Sequence, residues 1–155
     1  MRYRVLIFAV IAAAVLALIY CFAPAKEESK IADRPVLAEK PGLIRVESPL
    51  PDQKIKSPLV VKGEARGYWF FEASFPIVLT DWDGRIIAQH YAQAKDDWMT
   101  ENYVPFEGVL EFEDSSFSGA EAGHFSRRGF LILQKDNPSG LPENDDALEI
   151  QVWFE

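Results

Sequence analysis

Cysteine and histidine are almost absent from this chain, which has one cysteine and two histidines in 155 residues. The cysteine, Cys21, lies inside an apolar N-terminal run, so everything after it lacks both a disulfide framework and a Cys/His set with zinc-site spacing. Positive charge is scarce as well: 16 Lys and Arg stand against 24 Asp and Glu, a net charge of −8. Nucleic acids and anionic lipid surfaces select basic patches, so no nucleic-acid partner is expected. Catalytic signatures are missing too. There is no His-Glu-x-x-His, no Gly-x-Ser-x-Gly and no phosphate loop. His90 sits beside Tyr91, and His124 lies in a Gly/Ser-rich stretch near Arg127 and Arg128. Neither has an acid–base partner at useful sequence spacing, so neither an enzyme nor a cofactor is expected.

What is present begins with the N-terminus. Val5 to Ala23 carry no charge; Arg2 and Arg4 precede them, and Lys26, Glu27 and Glu28 follow. A run of about 20 apolar residues spans a bilayer as a helix, whereas a secretory h-region is usually shorter. Residues 1–25 therefore read as a signal anchor that meets the membrane through residues 5–23. Ala23-Pro24-Ala25 has the small-x-small form of a cleavage site, which keeps a signal peptide open. Leu18 before Cys21 suits a lipid-attachment motif, but Tyr20 is far bulkier than the Gly or Ala such a motif carries. The arginines hold the start of the chain in the cytoplasm, so either reading places the rest outside, tethered or secreted. Residues 26–42 are charged, contain Pro35 and Pro41, and read as a tether.

From Leu43 onward the pattern is β. Leu43–Glu47, Pro58–Ala65, Phe75–Thr80, Arg85–Ala92, Val104–Phe112, Gly129–Lys135 and Leu148–Phe154 alternate or run apolar at strand length. Asp81-Trp82-Asp83-Gly84 is a hairpin signal. Val104, Phe106, Gly108, Leu110 and Phe112 share one face, as do Leu148, Ile150, Val152 and Phe154. About seven short strands punctuated by Gly and Pro, with no amphipathic helix, indicate an all-β domain over 43–155. The expected architecture is an antiparallel sandwich of two sheets.

Three stretches could carry function. In the first, Ala65 to Pro76, the run Tyr68-Trp69-Phe70-Phe71 has too many aromatics for one face of a strand. It is either a bulged crossover plugging one end of the sandwich, with Arg66 paired to Glu72, or an exposed binding patch. The second, Asp97 to Phe106, reads as a long loop returning Trp98 and Met99 either as a lid on the core or as part of that patch. The third, Gln134 to Asp146, has an Asn137-Pro138-Ser139-Gly140 turn and then an acidic cluster. Calcium takes six to eight oxygen ligands, but no EF-hand spacing is present, so no metal site is expected. The candidate binding surface is Arg66, Trp69, Phe70, Glu72, Trp98 and Met99.

Several short motifs occur together: Ser57-Pro58-Leu59 with Val61 and Gly63; Ala65-Arg66-Gly67; Trp69-Phe70-Phe71-Glu72-Ala73; Asp83-Gly84; Trp98-Met99-Thr100; Val104-Pro105-Phe106; and Lys135 to Gly140. In this order they resemble the immunoglobulin-like domain of bacterial spore germination, the second Gmad family, over about Leu43 to Phe154. The resemblance implies an immunoglobulin-like sandwich in a bacterial envelope protein, without catalytic residues to carry over. The expected function is a non-catalytic module binding another envelope protein or the cell-wall polymer. The alternative is a purely structural envelope domain with no dedicated ligand.

Overall fold

The computed structural model describes residues 37–113 and 127–155. The apolar segment 5–23, Cys21, the possible cleavage site, most of the tether and His124 lie outside them.

Strand alternation is realised along most of the chain. β4 (Leu59–Arg66), β7 (Tyr103–Leu110) and β8 (Arg128–Gln134) bury every second residue, and β9 (Ala147–Phe154) does so from Ile150 on. Val104, Phe106, Gly108 and Leu110 do share the inner face. Phe112 lies just beyond β7 and packs edge-on against Phe154 at 5.7 Å. β2 (Ile44–Ser48), β5 (Ser74–Asp81) and β6 (Ile86–Ala94) complete the seven strands expected from the sequence. The hairpin signal between β5 and β6 also holds. Both oxygens of Asp81 are engaged, Oδ1 by the Asp83 and Arg85 amides at 2.9 Å and Oδ2 by Arg85 Nε at 3.1 Å. Gly84 supplies the left-handed residue, with φ +79°.

Three expectations change. The described residues hold nine strands rather than about seven, the pairing is mixed rather than purely antiparallel, and the strands join into one continuous sheet rather than two separate ones. β1 (Ala38–Lys40) falls in the stretch read as tether and pairs antiparallel with β2, Ala38 against Val46. β3 (Lys54–Ile55) runs parallel to β9, Lys54 against Trp153. Both are too short and too charged to show a local pattern; distant partners define them.

The strands form one hydrogen-bonded sheet in the order β1-β2-β4-β7-β6-β5-β8-β9-β3. β6 and β7 are joined at only two positions, Gln93 with Glu107 and Ala94 with Phe106. The sheet turns at this corner and its two halves face each other as a sandwich. The Phe75 and Phe106 rings meet across the interior, 4.9 Å apart and edge to face. Gly108 permits the close approach, since a Cβ there would stand 2.7 Å from Ile77 Cδ1. At the open side Lys40 of β1 reaches across to Asp146, just before β9. Trp69, Phe75, Phe154, Ile77, Leu131 and Leu133 are among the fully buried side chains of the core between the halves.

Candidate functional site

The register places the ends of β1, β4, β6 and β8 and the starts of β2, β5, β7 and β9 at the same end of the sandwich. Loops 67–73, 95–102 and 135–146 therefore gather there, together with the turn at 41–43. These loops contain the three stretches that stood out in the sequence. A sheet ladder makes this unavoidable, because antiparallel neighbours return their connections to alternate ends.

Backbone contacts fasten the loops together. Gly67 packs so closely on the 95–102 loop that a Cβ would fall 1.9 Å from the Thr100 carbonyl oxygen and 2.3 Å from that of Trp98. The Gly67 amide donates to Asn102 O at 3.2 Å. The third loop joins through the Asp136 amide, which donates to Trp69 O at 3.0 Å, and the Ala94 amide donates to Ala73 O at 2.8 Å. Within the 95–102 loop, Asp97 Oδ1 accepts from the Met99 amide at 3.0 Å and Thr100 Oγ1 from the Asn102 amide at 3.2 Å.

The aromatic run resolves into two populations. Residues 67–69 form one 3-10 turn, closed by the Phe70 amide donating to Gly67 O at 3.1 Å. Three residues per turn point successive side chains about 120° apart, so neighbours take different environments. Trp69 is fully buried and Phe70 is 4% exposed, its ring 5.2 Å from Phe75. These two residues plug the core and are not available as a binding surface, which corrects that expectation. Tyr68 and Phe71 point the other way, 51% and 40% exposed. The Trp69 indole nitrogen is buried without a hydrogen-bond partner among the described residues.

Phe71 and Ser74 then exchange both backbone hydrogen bonds, at 2.9 and 3.1 Å, around a two-residue turn. Its central residues, Glu72 and Ala73, have φ of 50° and 61°. Such turns favour Asn-Gly, because an ordinary side chain in left-handed conformation costs about 1–2 kcal/mol. Glu72 is held exposed at the tip.

Arg66 has a different partner from the one expected. Its Nε donates to Gly42 O at 3.1 Å and its Nη1 to Glu101 O at 3.0 Å, while the guanidinium carbon stands 4.2 Å from the centre of the Tyr103 ring. It staples two loops across β4 and does not pair with Glu72. Arg45 approaches the same ring at 4.4 Å. Trp98 is half-buried against the core, and Met99 is 77% exposed. Of the six candidates, Glu72 and Met99 are open to solvent, Arg66 and Trp98 support the surface, and Trp69 and Phe70 lie beneath it. Tyr68, Phe71 and Leu141 (50% exposed) belong to the surface and were missed. A helical period over residues 67–69 is the one signal that could have found Tyr68.

The three loops carry eight carboxylates and two lysines. Several carboxylates are already engaged by protein donors. Asp145 Oδ1 accepts from Asn137 Nδ2 at 2.7 Å, and Asp146 pairs with Lys40. His90 is exposed and its Nδ1 lies 3.1 Å from the Tyr91 carbonyl oxygen.

A curled β-sandwich with alternating connections gathered into loop clusters is an immunoglobulin-like architecture. More narrowly, residues 43–129 match the family described as the immunoglobulin-like domain of bacterial spore germination, and the chain belongs to that family. The match ends at the start of β8, so the Lys135–Gly140 motif and β9 lie beyond it. No curated protein and no solved structure matches the chain.

Proposed function

We propose that this is an extracytoplasmic envelope protein, held at the membrane or released through its N-terminal segment. In this reading its immunoglobulin-like domain binds another envelope protein or the cell-wall polymer and catalyses no reaction. The family's description connects such domains with spore germination. The observation that carries the proposal is the loop end of the sandwich. Three loops locked to one another leave Tyr68, Phe71 and Met99 exposed at the same end of the sandwich as Glu72. Large side chains on a rigid frame lose little entropy on binding, which is the usual setting of an interaction hot spot. The surplus of carboxylates around them favours a ligand with cationic groups.

The test places a photo-crosslinking residue at Tyr68 in the full chain within cells, and the same residue at Val60 on the outside of β4 as the control. Co-sedimentation of the purified chain with isolated cell-wall sacculi runs beside it. A discrete adduct from position 68 alone, or sedimentation lost in Tyr68→Ala/Met99→Ala, supports this reading. Equal labelling from both positions together with no sedimentation removes it.

A further inference from the structure

Most cations on this acidic chain are already engaged. Among the described residues, Lys40, Arg45, Lys62, Arg85 and Lys95 form ion pairs with carboxylates. Arg66 and Lys135 donate to backbone carbonyls, and the Arg128 guanidinium stands 5.7 Å from the centre of the Phe130 ring. Lys54, Lys56 and Arg127 are left without an ion pair or a side-chain hydrogen bond among the described residues. All three belong to the foot of β8 and β9 and the short β3 beside them, at the end of the sandwich opposite the three loops.

Register builds a site there. β3 runs parallel to β9, so Ile55 and Phe154 both turn into the core, while Lys54 and Trp153 stand side by side on the outside. On the other flank Arg128 of β8 is the cross-strand partner of Trp153. The half-buried indole is therefore placed between two cationic positions. Its Nε1 donates to Asp52 Oδ1 at 3.4 Å, and Gln151 Nε2 donates to the same oxygen at 2.6 Å. Asp52 is fixed in turn by its backbone: its amide donates to Gln151 O at 2.8 Å, and its φ of 61° fits the turn that the Gln53 amide closes on Leu50 O at 3.1 Å. A cavity of ≈ 470 Å³ is lined by Asp52, Lys54, Arg127, Trp153 and Phe154. The carboxylates beside the cations are Asp52, already holding two donors, and Glu155, whose amide donates to Ile55 O at 3.1 Å. Lys54, Lys56, Arg127 and Arg128 outnumber them, a local positive surplus on a chain of net −8.

We propose that this cavity binds an anionic sugar, a ring carrying a carboxylate or a phosphate. Such acid groups are held by Lys as a point charge and by Arg through a planar fork of donors, and a cation with no internal partner gives up nothing to bind them. The indole supplies a flat apolar wall against which the C–H face of the ring packs. A concave site of about 300–1,000 Å³ with aromatic lining and a few placed polar groups is the usual form for a small ligand. Charge sets the size of the anion. An extended anionic surface would also meet the acidic remainder of the domain, whereas one compact acid group meets the cavity alone. An acidic peptide would use the cations and leave the indole wall idle. The site stands apart from Tyr68 and Met99 and does not depend on what the loop end binds.

The experiment passes the purified full chain, in a neutral detergent, over beads carrying polygalacturonate, a phosphomannan, uncharged dextran or polyglutamate. Retention is expected on polygalacturonate or on phosphomannan, and the one retained identifies the acid group. Lys54→Gln/Arg127→Gln changes two exposed side chains and is expected to weaken retention about tenfold or more. Lys62→Gln/Lys95→Gln removes the same charge elsewhere and is expected to leave it unchanged. Tyr68→Ala/Met99→Ala should also leave it unchanged, which separates this site from the loop end. No retention on either anionic glycan, equal retention on dextran or polyglutamate, or equal effects of the two lysine-containing pairs would overturn the proposal.

Discussion

Gly67 lies directly against Thr100: a single methyl group on its α-carbon would stand 1.9 Å from the Thr100 carbonyl oxygen. The obstacle is backbone, which cannot swing aside as a side chain can. Gly67→Ala is therefore expected to destabilise the domain by about 3 kcal/mol, the upper part of the usual range for overpacking. A denaturant titration measures the loss. Trp98 emission should shift as well, because the 95–102 loop has to move. An unchanged midpoint would mean that the two loops are not in contact.

Trp69 separates packing from polar satisfaction. Its side chain is fully buried, so Trp69→Ala should cost about 3–5 kcal/mol. Its indole N–H has no hydrogen-bond partner among the described residues, so Trp69→Phe removes a buried donor along with some volume. The phenylalanine variant should lose less than half of what the alanine variant loses. Melting curves of the two variants decide it.

The turn at Glu72–Ala73 should be improvable. Replacing Ala73, φ 61°, by Gly removes the Cβ that disfavours left-handed backbone and should raise stability by about 1 kcal/mol. Glu72→Asn should add to this, since Asn tolerates that region better. If the loop end binds a cationic ligand, Glu72→Asn should at the same time weaken the Tyr68-dependent adduct. A stabilised variant that binds as before would relieve Glu72 of any part in recognition.

Glu107 offers a pH signature. It lies at the corner where β6 meets β7, with Lys62 Nζ at 3.1 Å and Lys95 Nζ at 3.6 Å. The hydrogen bond and charge of Lys62, then the charge of Lys95, hold its carboxyl below the usual Glu value. Because the folded-state pKa is lowered, the stabilisation is present above the unfolded-state pKa. It fades as pH falls through the folded value. Carbon-detected NMR titration should find Glu107 among the last glutamates to protonate on acidification, and Lys62→Met should move it upward. The pair is exposed, so Glu107→Gln at neutral pH should change stability only slightly.

Much of the fold was legible because strand alternation is a local property. The pattern of Val104 to Leu110 needs no partner to be recognised, and the Asp81 to Gly84 turn carries its own chemistry. β3 shows the limit: Lys54 and Ile55 are a strand only because Trp153 and Phe154, some hundred residues away, lie beside them. The candidate site was half legible. The three stretches that stood out do share one end of the sandwich, yet Trp69 and Phe70 proved to be core. A 3-10 turn divides neighbouring aromatics between inside and outside in a way that a period of two cannot express.

By itself, then, the sequence determined the β class, seven of the strands, the hairpin turn and the family, all carried by residues close together in the chain. Only the tertiary structure decided that three separate loops share one end, and that Arg66 ties Gly42 to Glu101 rather than meeting Glu72. The reason is physical: side-chain direction follows from strand register and loop closure, and both depend on which distant segments pair.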